Sequence, residues 1–132
     1  GTPMDFQEFK KIGAEIKADF PALNYGKGYD NCFMINDYEP GQLQTAAQLY
    51  SSASGRQLEV LTTQPAVQIY TGNWLEGCPA GKCGRGYHDY EGVAIECQHC
   101  PDSPNKPEFP TTVLRPGETF SEAIIWAFSV RK

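Results

Sequence analysis

The sequence of 132 residues is poor in positive charge, with 11 lysines and arginines against 16 aspartates and glutamates and a net charge of −5. Nucleic-acid binding draws mainly on contacts of lysine and arginine with phosphate, so this balance argues against a nucleic-acid partner. Long apolar runs are also lacking: none approaches the roughly 18–20 residues that span a bilayer, and we expect no membrane segment. The 40% of hydrophobic residues suffices for the core of one globular domain over residues 1–132.

Cysteine is present in an odd number, which does not suggest a closed disulfide framework and favours a reducing, cytoplasmic compartment. The spacing Cys78-x4-Cys83 followed by Cys97-x2-Cys100 leaves open a small zinc-binding domain with four thiolate ligands. The first pair is somewhat wide, however, and the two residues inside the second pair continue a predicted strand where a zinc knuckle needs a tight turn. We therefore interpret the cysteines as small, partly buried packing residues and predict no metal site.

Turn residues are abundant, and the ten prolines and thirteen glycines predict an all-β chain of short strands. Apolar stretches between turn signals predict six strands, at residues 32–36, 46–52, 58–63, 67–71, 93–98 and 120–130. The first 20 residues predict a short helix or an irregular segment, whereas residues 21–28 and 72–91 predict loops. Six strands make about one sheet, and its apolar face would need a cover.

Three polar features are candidates for chemistry. In the strand 93–98, alternation places Glu96 and Gln98 on one face, where an exposed carboxylate on a solvated surface is the simplest interpretation. Residues 62–73, followed by Trp74, are rich in amides, hydroxyls and aromatics, which suit a polyol such as a sugar but also occur at an ordinary strand end. Asp30 precedes a strand, a position where aspartate commonly forms a turn.

The order and wording of these pieces resemble the aldose 1-epimerase (galactose mutarotase) family. Residues 62–73, TTQPAVQIYTGN, are similar to the family's TTQPG-x-Q-x-YTGN, and residues 96–105, ECQHCPDSPN, are similar to its ETQ-x-x-PD-x-x-N. Residues 1–6 (GTPMDF), 28–30 (GYD), 109–110 (FP) and 114–118 (LRPGE) also match family segments. The matches are collinear and cover nearly the whole chain as a carboxy-terminal portion of the family sequence.

The resemblance implies part of a large antiparallel β-sandwich that interconverts the α and β anomers of hexoses such as glucose and galactose. Carried over by position, Glu96 is the catalytic base, Asp30 holds sugar hydroxyls and Gln68 contacts the sugar near its reacting end. The implied mechanism moves protons only, so it needs no metal or organic cofactor. The sequence does not indicate which hexose is preferred.

The resemblance also implies a gap, because the family's acid is a histidine from its amino-terminal half. The chain's two histidines do not replace it: by strand alternation His99 faces away from Glu96, and His88 lies in a glycine-rich loop. We therefore expect the chain alone to be inactive and to require a complementing amino-terminal polypeptide or self-association. A non-catalytic carbohydrate-binding module, retaining Asp30, Gln68, Trp74 and Glu96, is the alternative.

Overall fold

The computed structural model describes residues 1–131 and consists mainly of β-structure, as the sequence predicts. Its strands are β1 (Asp30–Met34), β2 (Gln44–Tyr50), β3 (Arg56–Thr62), β4 (Ala66–Tyr70), β5 (Ala94–Gln98) and β6 (Ile124–Val130). One α-helix, α1 (Pro21–Gly26), and two 3-10 turns, Ile12–Ala14 and Ser103–Asn105, complete the elements. The six predicted strands are confirmed in number and order. No helix within residues 1–131 has the length and apolar content needed to cross a membrane.

The strands form two three-stranded sheets with the orders β1-β4-β5 and β2-β3-β6. In the second sheet both pairings are antiparallel, and β3 is central, with Val60 lying opposite Ala47 on β2 and Trp126 on β6. A bulge between Thr45 and Ala47 shifts the β2–β3 register. Val60 is completely buried because it lies in the middle of the central strand.

By its internal contacts the chain divides into two compact units, residues 1–31 with 69–95 and residues 32–68 with 96 onward. The first unit buries Leu23 of α1 and Tyr29, and the second buries Val60, Ala66 and Val67. The boundary passes through β1, β4 and β5, so each of these strands contributes residues to both units. The assignment of residues 1–132 to a single domain stays a prediction.

The prediction of a loop at residues 21–28 is wrong for its first part, which forms α1. Pro21 occupies the first turn, where its fixed φ suits a helix and its missing N–H is not needed. The helix ends where Lys27 adopts a left-handed conformation (φ 59°), and the Gly28 N–H donates to the Leu23 carbonyl at 3.0 Å. The segment before α1 has only one 3-10 turn and is otherwise irregular, in line with the second form predicted for it.

Strand β6 differs from the others because all seven of its residues are exposed. It lies at one end of its sheet and pairs only with β3 among the residues described. Alternation predicts one apolar face, but both faces carry exposed apolar side chains: Ile124, Ile125, Trp126, Phe128 and Val130. A strand of this composition is typical of the interior of a larger sheet structure.

Candidate active site

The three residues predicted to contact a sugar lie on the three strands of one sheet. Glu96 is the middle residue of β5 and is exposed, whereas its neighbour Ile95, which points to the opposite face, is buried. Gln68 is the middle residue of β4, half-buried, with a buried Oε1. Asp30 is the first residue of β1 and is exposed. The sheet order β1-β4-β5 puts the strand of Gln68 between those of Asp30 and Glu96.

Asp30 follows a segment of the first unit that is fixed by buried hydrogen bonds. The Tyr29 side chain is buried; its hydroxyl donates to the Pro3 carbonyl at 3.0 Å, and its ring meets Phe6 edge-on at 5.1 Å between centroids. Its backbone N–H donates to the Thr71 hydroxyl at 3.2 Å, and its carbonyl accepts from the Thr71 N–H at 3.0 Å. The backbone that leads into Asp30 is therefore held from both sides.

Asn73 completes this network, and it is fully buried. Its amide nitrogen donates to the carbonyls of Gly26 (2.7 Å) and Tyr29 (2.9 Å), while its Oδ1 accepts from the Thr71 hydroxyl at 2.6 Å. Gly28 has a φ of +148°, and a Cβ there would lie 2.5 Å from Asn73 Oδ1. Hydrogen bonds therefore join two segments that are far apart in the sequence, residues 28–30 and 71–73, and together these segments position the start of β1.

The turn between β3 and β4 is fixed in a similar way within the second unit. Thr62 donates its hydroxyl to the Ala123 carbonyl at 3.0 Å, and the same hydroxyl accepts from the Gln64 N–H at 3.1 Å. Thr63 accepts from the Ala123 N–H at 2.9 Å and donates to the Glu122 carboxylate. The Pro65 carbonyl accepts from the Ile35 N–H at 3.0 Å. These contacts determine where β4, and with it Gln68, begins.

Of the two interpretations of residues 62–73, a surface suited to a sugar and an ordinary strand end, the strand end fits most of the polar groups. Their side chains are buried and hydrogen-bonded inside the protein, because the turn and the strand end need these groups for their own backbone: Thr62, Thr63, Gln64, Thr71 and Asn73. Trp74 is 60% exposed, but the Lys27 ammonium lies 4.6 Å from the centre of its ring. Gln68 is the remaining amide of this stretch, and its contact with a sugar stays a prediction.

Neither histidine has an arrangement that favours an acid role. The half-buried His99 ring places Nδ1 2.9 Å from Gln64 Oε1, and because an amide oxygen only accepts, Nδ1 carries the proton and donates it. His88 is exposed in the long loop, and its backbone N–H donates to Glu91. Strand alternation predicts that the His99 side chain faces away from Glu96. It does not predict the hydrogen bond between His99 and Gln64, which are 35 positions apart.

The loop 72–91 is attached to the end of α1 by contacts within the first unit. Lys27 forms an ion pair with Asp89, and the Tyr90 hydroxyl donates to the Lys27 carbonyl at 2.6 Å. The hydrogen bond to Asp89 raises the pKa of Lys27, and the same bond, together with one from the Glu76 N–H, lowers the pKa of Asp89. A cavity of about 370 Å³ in this unit is lined by eight residues between Gly1 and Glu15 and includes none of the predicted site residues.

Among residues 1–131, Cys78, Cys83, Cys97 and Cys100 are not grouped as a metal site. Cys78 and Cys83 are exposed in the first unit, whereas Cys97 and Cys100 belong to the second. Within residues 1–131 no group of three or more histidine, cysteine, aspartate or glutamate side chains could hold a metal ion. Burial raises the pKa of the Cys97 thiol, and a side-chain hydrogen bond between Cys97 and Thr62 opposes this rise.

Comparison with known proteins gives a consistent result. A family model described as Aldose 1-epimerase matches residues 1–126. The human galactose mutarotase is 40% identical over 130 residues, covering 98% of this chain and 36% of its own length. The aldose 1-epimerase of Escherichia coli K12 is also 40% identical over 130 residues, covering 97% of this chain and 37% of its own length.

A solved structure shares the fold as well. The crystal structure of the GalM/aldose epimerase homologue from C. elegans superimposes with a TM-score of 0.76 at 26% identity, covering 99% of this chain and 38% of that one. The chain therefore spans little more than a third of the length of the relatives that it matches. The prediction that it corresponds to a portion of a larger β-rich fold is confirmed.

Proposed function

The chain belongs to the aldose 1-epimerase family, and we propose that it supplies the base and part of the sugar site of an enzyme that interconverts hexose anomers. The observation that carries the proposal is the arrangement of one sheet, with an exposed carboxylate at the centre of β5 and an amide at the centre of the adjacent β4. By its resemblance to the family, Asp30 at the start of β1 is proposed as a second acceptor for hydroxyl groups. The relatives' names, galactose mutarotase and aldose 1-epimerase, support the hexose substrate class.

In the proposed reaction Glu96 takes the proton from the anomeric hydroxyl while an acid protonates the ring oxygen. The bond between the anomeric carbon and the ring oxygen breaks, which gives the open aldehyde. Rotation about the bond between the first two carbons presents the other face of the aldehyde, and the same steps in reverse close the ring. Every atom and proton returns to its starting partner, so the side chains of the enzyme suffice and no cofactor is required.

The proposed acid comes from polypeptide outside residues 1–132, whether separate from this chain or continuous with it. His99 uses Nδ1 to hold Gln64 and His88 is exposed in a loop, so neither is arranged as the acid. A second copy of the chain would bring the same two histidines in the same environments. The match covers only 36–37% of the length of these relatives, and we expect the missing group in the rest of their sequence.

The surface that we expect the additional polypeptide to cover is β6. All its residues are exposed, and Phe128, the most exposed of its large apolar residues, leaves 75% of its surface in solvent. Covering such a strand on an edge and two apolar faces would remove a large apolar area from water, at about 25 cal/mol per Å². A partner that contributes β-strands fits this surface because β6 has a hydrogen-bonding edge that β3 does not use.

Activity is tested by measuring the anomerisation of α-galactose and α-glucose by NMR, with the chain alone and with the amino-terminal part of a relative added. We expect turnover only in the mixture, and we expect Glu96→Gln to lower kcat by about 10²–10⁴-fold, the usual contribution of a general base. The matched control is Glu108→Gln, another exposed glutamate, which should leave kcat unchanged. Equal activity of the two variants would refute the assignment of the base.

The same experiment separates the alternatives. Galactose binding by the reconstituted protein, with no rate above that of buffer, would identify a carbohydrate-binding module. Association is tested with Phe128→Lys, which should leave the folding of the chain within about 0.5 kcal/mol of wild type, because the residue is exposed, but should weaken complementation. Val113→Lys, at an exposed apolar loop residue, is the control. A native mass showing only homodimers would favour self-association instead.

A further inference from the structure

Three sulfur atoms from two separate segments meet in the second unit. Cys32 and Met34 are two residues apart on β1, so strand alternation places their side chains on the same face. Cys100, which follows β5, lies with its Sγ 2.9 Å from Met34 Sδ, and its thiol is hydrogen-bonded to the Cys32 thiol. We call Cys32, Met34 and Cys100 the sulfur cluster.

The sulfur cluster is partly buried, and hydrogen bonds hold the backbone at Cys100. Cys100 is only 7% exposed, and Cys32 is half-buried, whereas Met34 is 51% exposed and leaves a path to solvent. The Cys100 carbonyl accepts from the Ser103 hydroxyl at 2.6 Å and from the Ser103 N–H at 3.2 Å, which fixes the backbone at that cysteine. Burial, followed by the hydrogen bond with Cys100, raises the pKa of the Cys32 thiol to about 12.

We propose that Cys32, Met34 and Cys100 bind a soft monovalent metal cation, of which copper(I) is the representative. Thiolate and thioether ligands select copper(I) over harder ions, and a set of two thiolates and one thioether offers three-coordinate ligation. Zinc fits poorly, because its structural sites use four thiolate or imidazole ligands, and such a cluster is absent from residues 1–131. Binding releases the two thiol protons to solvent and leaves a site with a net charge of −1.

The site is distinct from the proposed catalytic function. None of its ligands is Asp30, Gln68 or Glu96, and the proposed proton transfers need no metal. It also differs from the zinc interpretation of the sequence, which paired Cys100 with Cys97 and overlooked Met34. Cys97 is not among the proposed ligands, because its hydrogen-bond partner is Thr62.

The test is an anaerobic titration of the reduced protein with copper(I) against the chromophoric chelator bathocuproine disulfonate. The background variant Cys78→Ser/Cys83→Ser removes the two exposed thiols, and it should take up one copper(I) per chain. Met34→Leu, an exposed position where folding is least disturbed, should weaken binding by at least about 10-fold, since removal even of an outer-shell partner costs about 10–100-fold. Cys32→Ser should abolish uptake, and X-ray absorption should show sulfur ligands only.

The control is Cys97→Ser, a half-buried cysteine of the same unit, which should keep the affinity of the background variant within about twofold. Circular dichroism of each variant confirms that it is folded. Affinities of Met34→Leu and Cys32→Ser equal to that of Cys97→Ser would overturn the proposal. It would also be overturned if the reduced protein took up no copper(I) and peptide mapping after exposure to oxygen showed a disulfide joining Cys32 to Cys100.

Discussion

Replacing Asn73 by alanine should unfold the first unit far more easily than an ordinary asparagine substitution. The side chain is fully buried and makes three hydrogen bonds, to the carbonyls of Gly26 and Tyr29 and from the hydroxyl of Thr71. Each such bond contributes about 1 kcal/mol net, and a buried group left without a partner costs about 1–3 kcal/mol. These energies set the scale of the expected loss of unfolding free energy.

The expected loss of unfolding free energy is smaller than the sum over the three partner groups, the carbonyls of Gly26 and Tyr29 and the hydroxyl of Thr71. The Tyr29 carbonyl keeps the Thr71 N–H as a donor, and the Thr71 hydroxyl lies 3.2 Å from that carbonyl and can turn to it. The Gly26 carbonyl loses the asparagine donor. We therefore expect Asn73→Ala to lower the free energy of unfolding by about 3 kcal/mol, which for a chain of this size corresponds to roughly 10 °C in Tm.

The measurement is urea unfolding followed by circular dichroism and by the fluorescence of the adjacent Trp74. Asn36→Ala, at an exposed turn, should stay within about 0.5 kcal/mol of wild type. Asn73→Asp keeps the size of the side chain but turns a carboxylate oxygen towards two carbonyls, so it should be at least as destabilising as alanine. The reasoning fails if Asn73→Ala loses less than about 1 kcal/mol, or no more than Asn36→Ala.

Three further predictions concern Gly28, Asp89 and the cysteines. Gly28→Ala should destabilise by about 2–4 kcal/mol through its positive φ and the close approach of Asn73; in the Asn73→Ala background the cost should fall, and a strictly additive double-mutant cycle would contradict this. The pKa of Asp89 is lowered by Lys27, so its contribution to stability is present above its ordinary value of 3.8 and is lost as the pH falls further. The difference in unfolding free energy between wild type and Asp89→Asn should therefore be constant from neutral pH to about 4 and shrink below it; a difference that shrinks already near pH 6 would disprove the pairing. Iodoacetamide added to the folded protein should alkylate the exposed thiols of Cys78 and Cys83 first, as measured by mass spectrometry. Equal reaction rates at all five cysteines would contradict the burial of the other three.

Local patterns predict the strands of this chain well. The predicted strand 93–98 corresponds to Ala94–Gln98, and the predicted strand 67–71 to Ala66–Tyr70, because apolar alternation and flanking turn residues act within a few positions. The last strand is shorter than predicted, since Phe120 and its neighbours remain outside β6. The helix α1 was missed because proline and glycine were interpreted as loop residues, whereas here proline begins the helix and the left-handed Lys27 ends it.

Long-range partners limit what the sequence predicts about the site. The strand positions of Asp30, Gln68 and Glu96 follow from alternation and resemblance, and their roles remain predictions. The buried positions of Thr71 and Asn73 do not follow from local patterns, because their partners lie 42–47 residues away. The only signal in the sequence was that both segments matched family motifs, and the structure supplies the reason: Gly28 leaves the space that Asn73 Oδ1 occupies.

The contacts described here divide the proposed enzyme into a part that positions the sugar and a part that completes proton transfer. The backbone before Asp30 is held by Thr71 and Asn73, and the turn before Gln68 is held by contacts to Ala123, all within residues 1–131. The acid, in contrast, is proposed to come from polypeptide outside residues 1–132. Changes to the Asn73 network should therefore act mainly on KM, through the placement of Asp30, whereas loss of the complementing polypeptide should act on kcat. A common effect on both constants would mean that the same missing contacts also shape the sugar site.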